Sequence, residues 1–103
     1  MSPSDALDAD INSFGRPDLI TPQGRYAHRI RVLGAILPRL LLLEKFGARD
    51  ALALFTRITV HLYTLHAVDV LTGVELDLAL ADVRRTYVRA QPTLADLLPE
   101  KDD

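Results

Sequence analysis

Apolar residues recur at helical spacing along three long stretches of this sequence, and residues that favour turns separate the stretches. The pattern predicts helices at residues 22–46, about 48–72 and about 74–90. Thr21 and Pro22 make a strong start for the first helix, because threonine can cap it and proline at the first position lacks an N–H that would be unpaired anyway. Gly47 and Gly73 are placed to end the first two helices, and Pro92 follows the third.

The second stretch also resembles a β-strand in composition, because residues 55–73 are rich in β-branched side chains. Its length favours a helix, since about 25 residues without a turn signal far exceed a usual strand. A mostly apolar heptad line runs through Ala51, Phe55, Ile58, Leu62, Leu65, Asp69 and Thr72. We therefore predict an all-α fold: a long antiparallel helical hairpin, joined at residues 47–49, plus a third amphipathic helix.

The first predicted helix is apolar almost all the way round. Its charged residues between positions 32 and 46 are Arg39, Glu44 and Lys45. At about 100° per residue these three share no single polar face. One apolar seam, which the second helix is expected to cover, consists of Leu33, Leu37 and Leu40. Val32, Ile36 and Leu43 form another seam for which one chain offers no partner, so we predict a helical-bundle homodimer with these three residues at its interface.

With 103 residues the chain is long enough for one domain. Residues 1–20 are predicted to be a loose acidic arm, residues 21–98 a single helical domain and residues 99–103 a solvated acidic tail. Ser4 can cap one or two turns within the arm, but the glycine and prolines of residues 14–22 end any helix there. Apolar residues make up 49% of the chain and charged residues 25%, a composition typical of a globular protein.

The sequence predicts a cytoplasmic protein without a membrane contact. Its first residues do not resemble a signal peptide, and no window approaches 18 uncharged apolar residues. The chain contains no cysteine, which excludes disulfides, thiolate metal sites and a cysteine nucleophile. Ten of the twelve basic residues are arginine, which is typical of a protein from a GC-rich bacterium.

Charge is distributed unevenly along the chain, although the net charge is only −2. Seven basic and two acidic residues give positions 21–57 a charge of +5, whereas positions 1–20 and 90–103 each carry −3. The arginines that a dimer could present to nucleic-acid phosphates are Arg25, Arg29, Arg84, Arg85 and Arg89. They lack interleaved aromatic residues and a helix-turn-helix spacing. A dimeric regulator that binds nucleic acid, of a transcriptional, plasmid or phage type, is therefore the alternative function.

Three residues are candidates for a metal-dependent activity. If residues 47–48 are the pivot of the hairpin, His28 lies level with His66, close to Asp69 and Arg25. Two histidines and a carboxylate are ligands that zinc accepts. The simpler interpretation is that Asp69 pairs with Arg25 and that the histidines are ordinary hydrogen-bonded side chains. No glycine-rich phosphate loop or G-x-S-x-G motif occurs, so we assign no catalytic residue and no cofactor.

These observations favour a small dimeric helical interaction protein over an enzyme. Its partners are a second copy and another protein, which it would bind as an adaptor, chaperone or accessory subunit. Two segments are candidates for docking that protein: the acidic arm, and residues 93–98, TLADLL, whose short apolar face has little local cover.

Overall fold

A computed structural model describes residues 2–91 of the chain. Its helices are α1 (Pro3–Asn12), α2 (Pro22–Leu41), α3 (Ala48–Ala67) and α4 (Gly73–Ala90). Because residues 2–91 contain no strand, the all-α prediction is confirmed, including the choice of helix for the β-branched stretch. The docking segment expected at residues 93–98 and the tail at 99–103 lie outside the described residues. No helix among residues 2–91 combines the length and the hydropathy needed to cross a bilayer.

Side-chain caps define where three of the four helices begin. Ser2, Thr21 and Thr72 each accept a hydrogen bond from the backbone N–H three positions later, at 3.2, 3.0 and 3.1 Å. At α4 the cap is reciprocal, because the Glu75 carboxylate accepts the N–H of Thr72 at 3.1 Å. The start predicted for α2 is confirmed.

Helix α2 ends at Leu41, whereas the apolar pattern predicted a helix to about Phe46. The backbone hydrogen bonds after α2 tighten to a spacing of three residues. The N–H of Leu42 donates to the Arg39 carbonyl at 3.0 Å, and that of Lys45 to the Leu42 carbonyl at 2.9 Å. These bonds form a short 3-10 helix, which brings the chain to the start of α3.

Helix α3 ends at Ala67, five residues earlier than predicted. Asp69 adopts the left-handed conformation, with φ = 62°. The N–H of Val70 donates to the Leu65 carbonyl at 2.8 Å, and that of Asp69 to the His66 carbonyl at 3.1 Å. Both bonds belong to a Schellman motif, in which glycine usually occupies the left-handed position. Val70 and Leu65 are both buried in the core, so this helix end is held by packing as well as by hydrogen bonds.

The N-terminal segment is not the loose arm that was predicted for residues 1–20. Helix α1 packs against α2 and α3, and the side chain of Leu7 is completely buried. Ile11 and Phe14 pack against the edge of the same core. Leu7 and Ile11 lie four residues apart on one side of α1, and Phe14 follows just after the helix ends, so the sequence already contained the apolar positions that hold α1 in place.

The long helices α2 and α3 make few direct contacts with each other. Helix α3 packs mainly against α1 and α4, and α2 packs against α1 and, to a lesser extent, α4. The helical contacts therefore do not show the predicted hairpin, in which α2 and α3 cover one another. Instead, α1 and α4 supply most of the cover for both long helices.

All four helices contribute to a single, mostly aliphatic core. Its fully buried large side chains are Leu7, Val32, Ile36, Leu43, Leu54, Ile58, Leu62, Leu65 and Tyr87. The rings of Phe55 and Tyr87 lie 4.6 Å apart, which joins α3 to α4. The side-chain amide of Gln91 donates to the Phe46 carbonyl at 3.2 Å and connects the end of α4 to the α2–α3 link.

We predict that Leu7→Ala lowers the free energy of unfolding by about 2–5 kcal/mol, because it leaves a cavity in the core. Asn12→Ala, at an exposed position of the same helix, is the control. Urea unfolding followed by circular dichroism measures both variants. A loss below about 1 kcal/mol for Leu7→Ala would show that α1 contributes little to the fold.

We predict that Asp69→Gly raises the free energy of unfolding by about 0.5–1 kcal/mol, because glycine adopts a positive φ without steric cost. Asp69→Val should lower it by more than about 1 kcal/mol, since a β-branched side chain is strained in that conformation. Thermal melts of both variants and the wild type test whether residue 69 adopts the left-handed conformation. Equal melting temperatures for the three proteins would contradict it.

Candidate functional site

An exposed row of apolar side chains runs along α2. The exposed fraction is 64% for Tyr26, 53% for Ile30, 54% for Leu37 and 77% for Leu41. At about 100° per residue these four side chains fall within about 60° of the helix circumference. The half-buried Leu33 borders them on the side towards the core. We call these five residues the α2 stripe.

The structure buries the seam that was predicted to contact a second copy and leaves part of the other seam exposed, although Leu40 of that other seam is buried. Val32, Ile36 and Leu43, which were predicted to contact a second copy, are 2%, 2% and 0% exposed within a single chain. The prediction that these three residues form the dimer interface is wrong, because α1 and the other helices cover them. Leu37, which α3 was expected to cover, is exposed instead. Apolar surface without cover in the described chain is therefore present on α2, but on a different side of the helix from Val32, Ile36 and Leu43.

The border of the α2 stripe combines a paired charge with an open space. Arg29 forms a salt bridge with Glu75 of α4, so the charge beside the stripe is neutralised within the chain. Leu78, one turn after Glu75, is 68% exposed and adds apolar surface on α4. Gly34 follows Leu33 on α2, and a Cβ built there would meet no atom within 4 Å. This surface suits an apolar partner that approaches α2 closely.

Acidic residues of α1 bind basic residues of the two long helices. Asp8 accepts a hydrogen bond from Nε2 of His61 at 2.8 Å and forms a salt bridge with Nε of Arg57 at 3.0 Å. Asp10 forms a salt bridge with Arg39 of α2. Part of the acidic N-terminus therefore neutralises part of the basic middle of the chain. The side chains of Asp8 and Asp10 are used inside the fold, which leaves fewer acidic groups for the docking role that the arm was expected to have.

The structure does not support the metal site suggested for His28, His66 and Asp69. Nδ1 of His66 lies 3.0 Å from the Leu71 carbonyl oxygen, within the turn that follows α3. Asp69 is exposed in the same turn. Among residues 2–91, no three histidine, aspartate or glutamate side chains are placed to hold a metal ion. The hairpin alignment that suggested this site assumed that α3 continues beyond Ala67 and lies directly beside α2.

The arginines of the nucleic-acid alternative are dispersed, and several already have partners in the chain. Arg25 donates to two carbonyl oxygens of the loop before α2, both at 3.0 Å, instead of pairing with an aspartate after α3. Arg29 forms a salt bridge with Glu75 of α4. Arg85 lies 3.7 Å from a carboxylate three residues earlier in α4. Arg84 is half-buried on α4, and Arg89 is exposed near the end of that helix.

Two open surface clefts lie beside α1, with volumes of about 350 and 400 Å³. The hydroxyl group of Ser13, in the first cleft, donates to the Asp10 backbone carbonyl at 2.6 Å. In the second cleft, the Ser4 hydroxyl lies 3.1 Å from that of Ser2. A nucleophilic hydroxyl needs an adjacent general base, and neither serine contacts one. The clefts therefore provide no arrangement for nucleophilic catalysis.

Comparison with known proteins adds no family assignment: the sequence matches no protein family, and no curated protein or solved structure is significantly similar to it.

The Glu75 carboxylate beside the stripe should make stability depend on pH. The backbone N–H of Thr72 and then the Arg29 guanidinium hold the pKa of the Glu75 carboxyl below its ordinary value of 4.5. Because the folded chain binds this proton more weakly than the unfolded chain, the contribution to stability is present above about pH 4.5 and is lost as the pH falls further.

We predict that Glu75→Gln, which keeps an oxygen for the cap but removes the charge, reduces the loss of unfolding free energy between about pH 6 and pH 3. Asp77→Asn, on an exposed position of the same helix, is the charge-matched control. Urea unfolding at several pH values measures the effect. An identical pH profile for Glu75→Gln and the wild type would show that the charge of Glu75 does not contribute.

Proposed function

We propose that this protein acts by association and not by catalysis, as a small helical homodimer that binds another protein in the role of an adaptor, chaperone or accessory subunit. The observation that carries the proposal is the α2 stripe. Four large apolar side chains, each more than half exposed, follow one side of a helix with no charged residue among them. Contiguous apolar surface of this kind is typical of protein interaction sites.

The stripe offers apolar area for association. Taking about 180 Å² for a fully exposed large side chain, the four exposed members present roughly 400 Å² on each copy. Burying this surface favours a dimer, but association also costs free energy, and area alone does not set the affinity.

This chain also has apolar surface outside the stripe, which is available to the second protein that we propose as a partner. Val60 and Tyr63 are 44% and 53% exposed on α3, and Val74 is 71% exposed on α4. Val60 and Tyr63 are three residues apart and therefore share one side of their helix. A homodimer formed through α2 would leave this side of α3 available to a different protein.

The nucleic-acid alternative makes a different prediction. A dimeric regulator would bind DNA or heparin with an affinity that falls steeply as salt is added. The hydrogen bonds of Arg25 and the salt bridge of Arg29 within the chain reduce the cationic surface available for that role. Such salt-dependent binding, if observed, would favour the alternative over an adaptor.

Two leucines only two positions apart allow a matched test of the proposal. Leu41 is 77% exposed and Leu43 is 0% exposed. Leu41→Glu should change the unfolding free energy by less than about 1 kcal/mol. It should weaken self-association at least tenfold, because an interface that buries the carboxylate must desolvate it. Leu43→Glu should prevent folding, since it places an unpaired charge in the core.

Sedimentation equilibrium measures association in this test, and circular dichroism measures folding. Thr64→Glu, at an exposed position of α3, is the surface control and should leave both unchanged. A wild-type chain that remains monomeric at about 100 μM would contradict the proposed homodimer.

A further inference from the structure

We infer that the α2 stripe pairs antiparallel with the α2 stripe of a second copy, about a two-fold axis that passes between Leu33 and Gly34. The inference rests on the proposed homodimer and adds the face, direction and register of the pairing. Exposed apolar positions also occur on α3 and α4, but among the described residues only α2 carries four large apolar side chains that are each more than half exposed.

The spacing of the stripe is palindromic. Starting from the midpoint between Leu33 and Gly34, the exposed apolar side chains lie at equal distances on both sides. Antiparallel pairing places Tyr26 opposite Leu41, Ile30 opposite Leu37 and Leu33 opposite Gly34 of the second copy. A two-fold interface requires this property, because whenever one residue contacts another across it, the reverse contact also occurs. The α2 stripe therefore matches itself without a shift in register.

Gly34 leaves space for a close approach of the two copies. Glycine within a helix lowers stability relative to alanine, and a tight contact with neighbouring backbone is the usual compensation. No such contact exists within the described chain, since a Cβ at Gly34 would meet no atom within 4 Å. In the antiparallel pair, Leu33 of each copy lies over Gly34 of the other, and two such contacts flank the axis. The absent side chain then allows the two helices to approach closely.

Charge and area are consistent with the same pairing. No charged residue lies within the stripe, so identical copies bring no like charges together along it, and Arg29 at the border is already paired with Glu75. Antiparallel helices also place the positive end of each helix dipole beside the negative end of its neighbour. Complete burial of the four exposed members on both copies would remove roughly 800 Å² from water, so the pairing must also cover flanking surface to reach the ~1,000 Å² expected of a specific interface.

Introduced cysteines test this geometry directly, because the chain has none of its own. The experiment uses two full-length single variants, Tyr26→Cys and Leu41→Cys, under mild oxidation. In the antiparallel pair, position 26 of one copy adjoins position 41 of the other, whereas identical positions are about 22 Å apart, too far for a disulfide. We expect an equimolar mixture to form at least tenfold more disulfide-linked dimer than either variant alone.

The outcomes separate this inference from the proposed function. Efficient cross-linking of either variant by itself would indicate parallel pairing and overturn the inference. A wild type that sediments as a dimer while the mixture fails to cross-link would place the interface elsewhere, which overturns the inference and leaves the homodimer standing. A monomeric wild type would overturn both the inferred pairing and the proposed homodimer, whether the stripe is then exposed to solvent or covered by residues 92–103.

Gly34→Lys provides an independent measurement. The Cβ of the new side chain meets no atom within the described chain, and lysine improves the helix propensity of α2, so the melting temperature of the dilute protein should be equal to or higher than that of the wild type. Self-association should weaken at least tenfold, because lysine occupies the position of Leu33 of the second copy. Thr64→Lys on α3 is the matched control. Unchanged association of Gly34→Lys would overturn the inference.

Discussion

The packing of α1 against α2 is the contact on which the rest of the structure depends. Helix α1 lies between the two long helices and buries Leu7 completely. Arg39 binds Asp10 of α1 and lies on the same side of α2 as Val32 and Ile36. By occupying that side, α1 makes it part of the core. The surface of α2 that remains uncovered is then the one that carries Leu37 and Leu41.

Burial of apolar surface, more than charge, holds α1 in this place. A fully buried leucine contributes about 1.5–3 kcal/mol, whereas partly exposed ion pairs contribute about 0–1 kcal/mol each. The ionic contacts of Asp8 and Asp10 nevertheless specify the position of the helix, because each carboxylate finds its partner on a different long helix. Leu7 supplies the stability of the contact, and the two aspartates supply its register.

This arrangement explains how a chain with a well-packed core retains an apolar surface on the leucine-rich helix α2. One chain covers Val32, Ile36 and Leu43 by itself. Association would instead involve a separate surface, and an interface mutation there need not unfold the protein. No residue of the described chain fills the open space at Gly34 on this surface.

The sequence by itself determined the helical class, the start of α2 at Thr21–Pro22 and the extent of α4, because caps and periodicity act over only a few residues. It also carried two signals that the predictions did not use, the apolar positions Leu7 and Ile11 of α1 and the reciprocal cap of Thr72 and Glu75. Only the tertiary structure decided which side of α2 is inside. Periodicity shows that a side is apolar but not which neighbour covers it, and contacts between residues far apart in the chain made that choice.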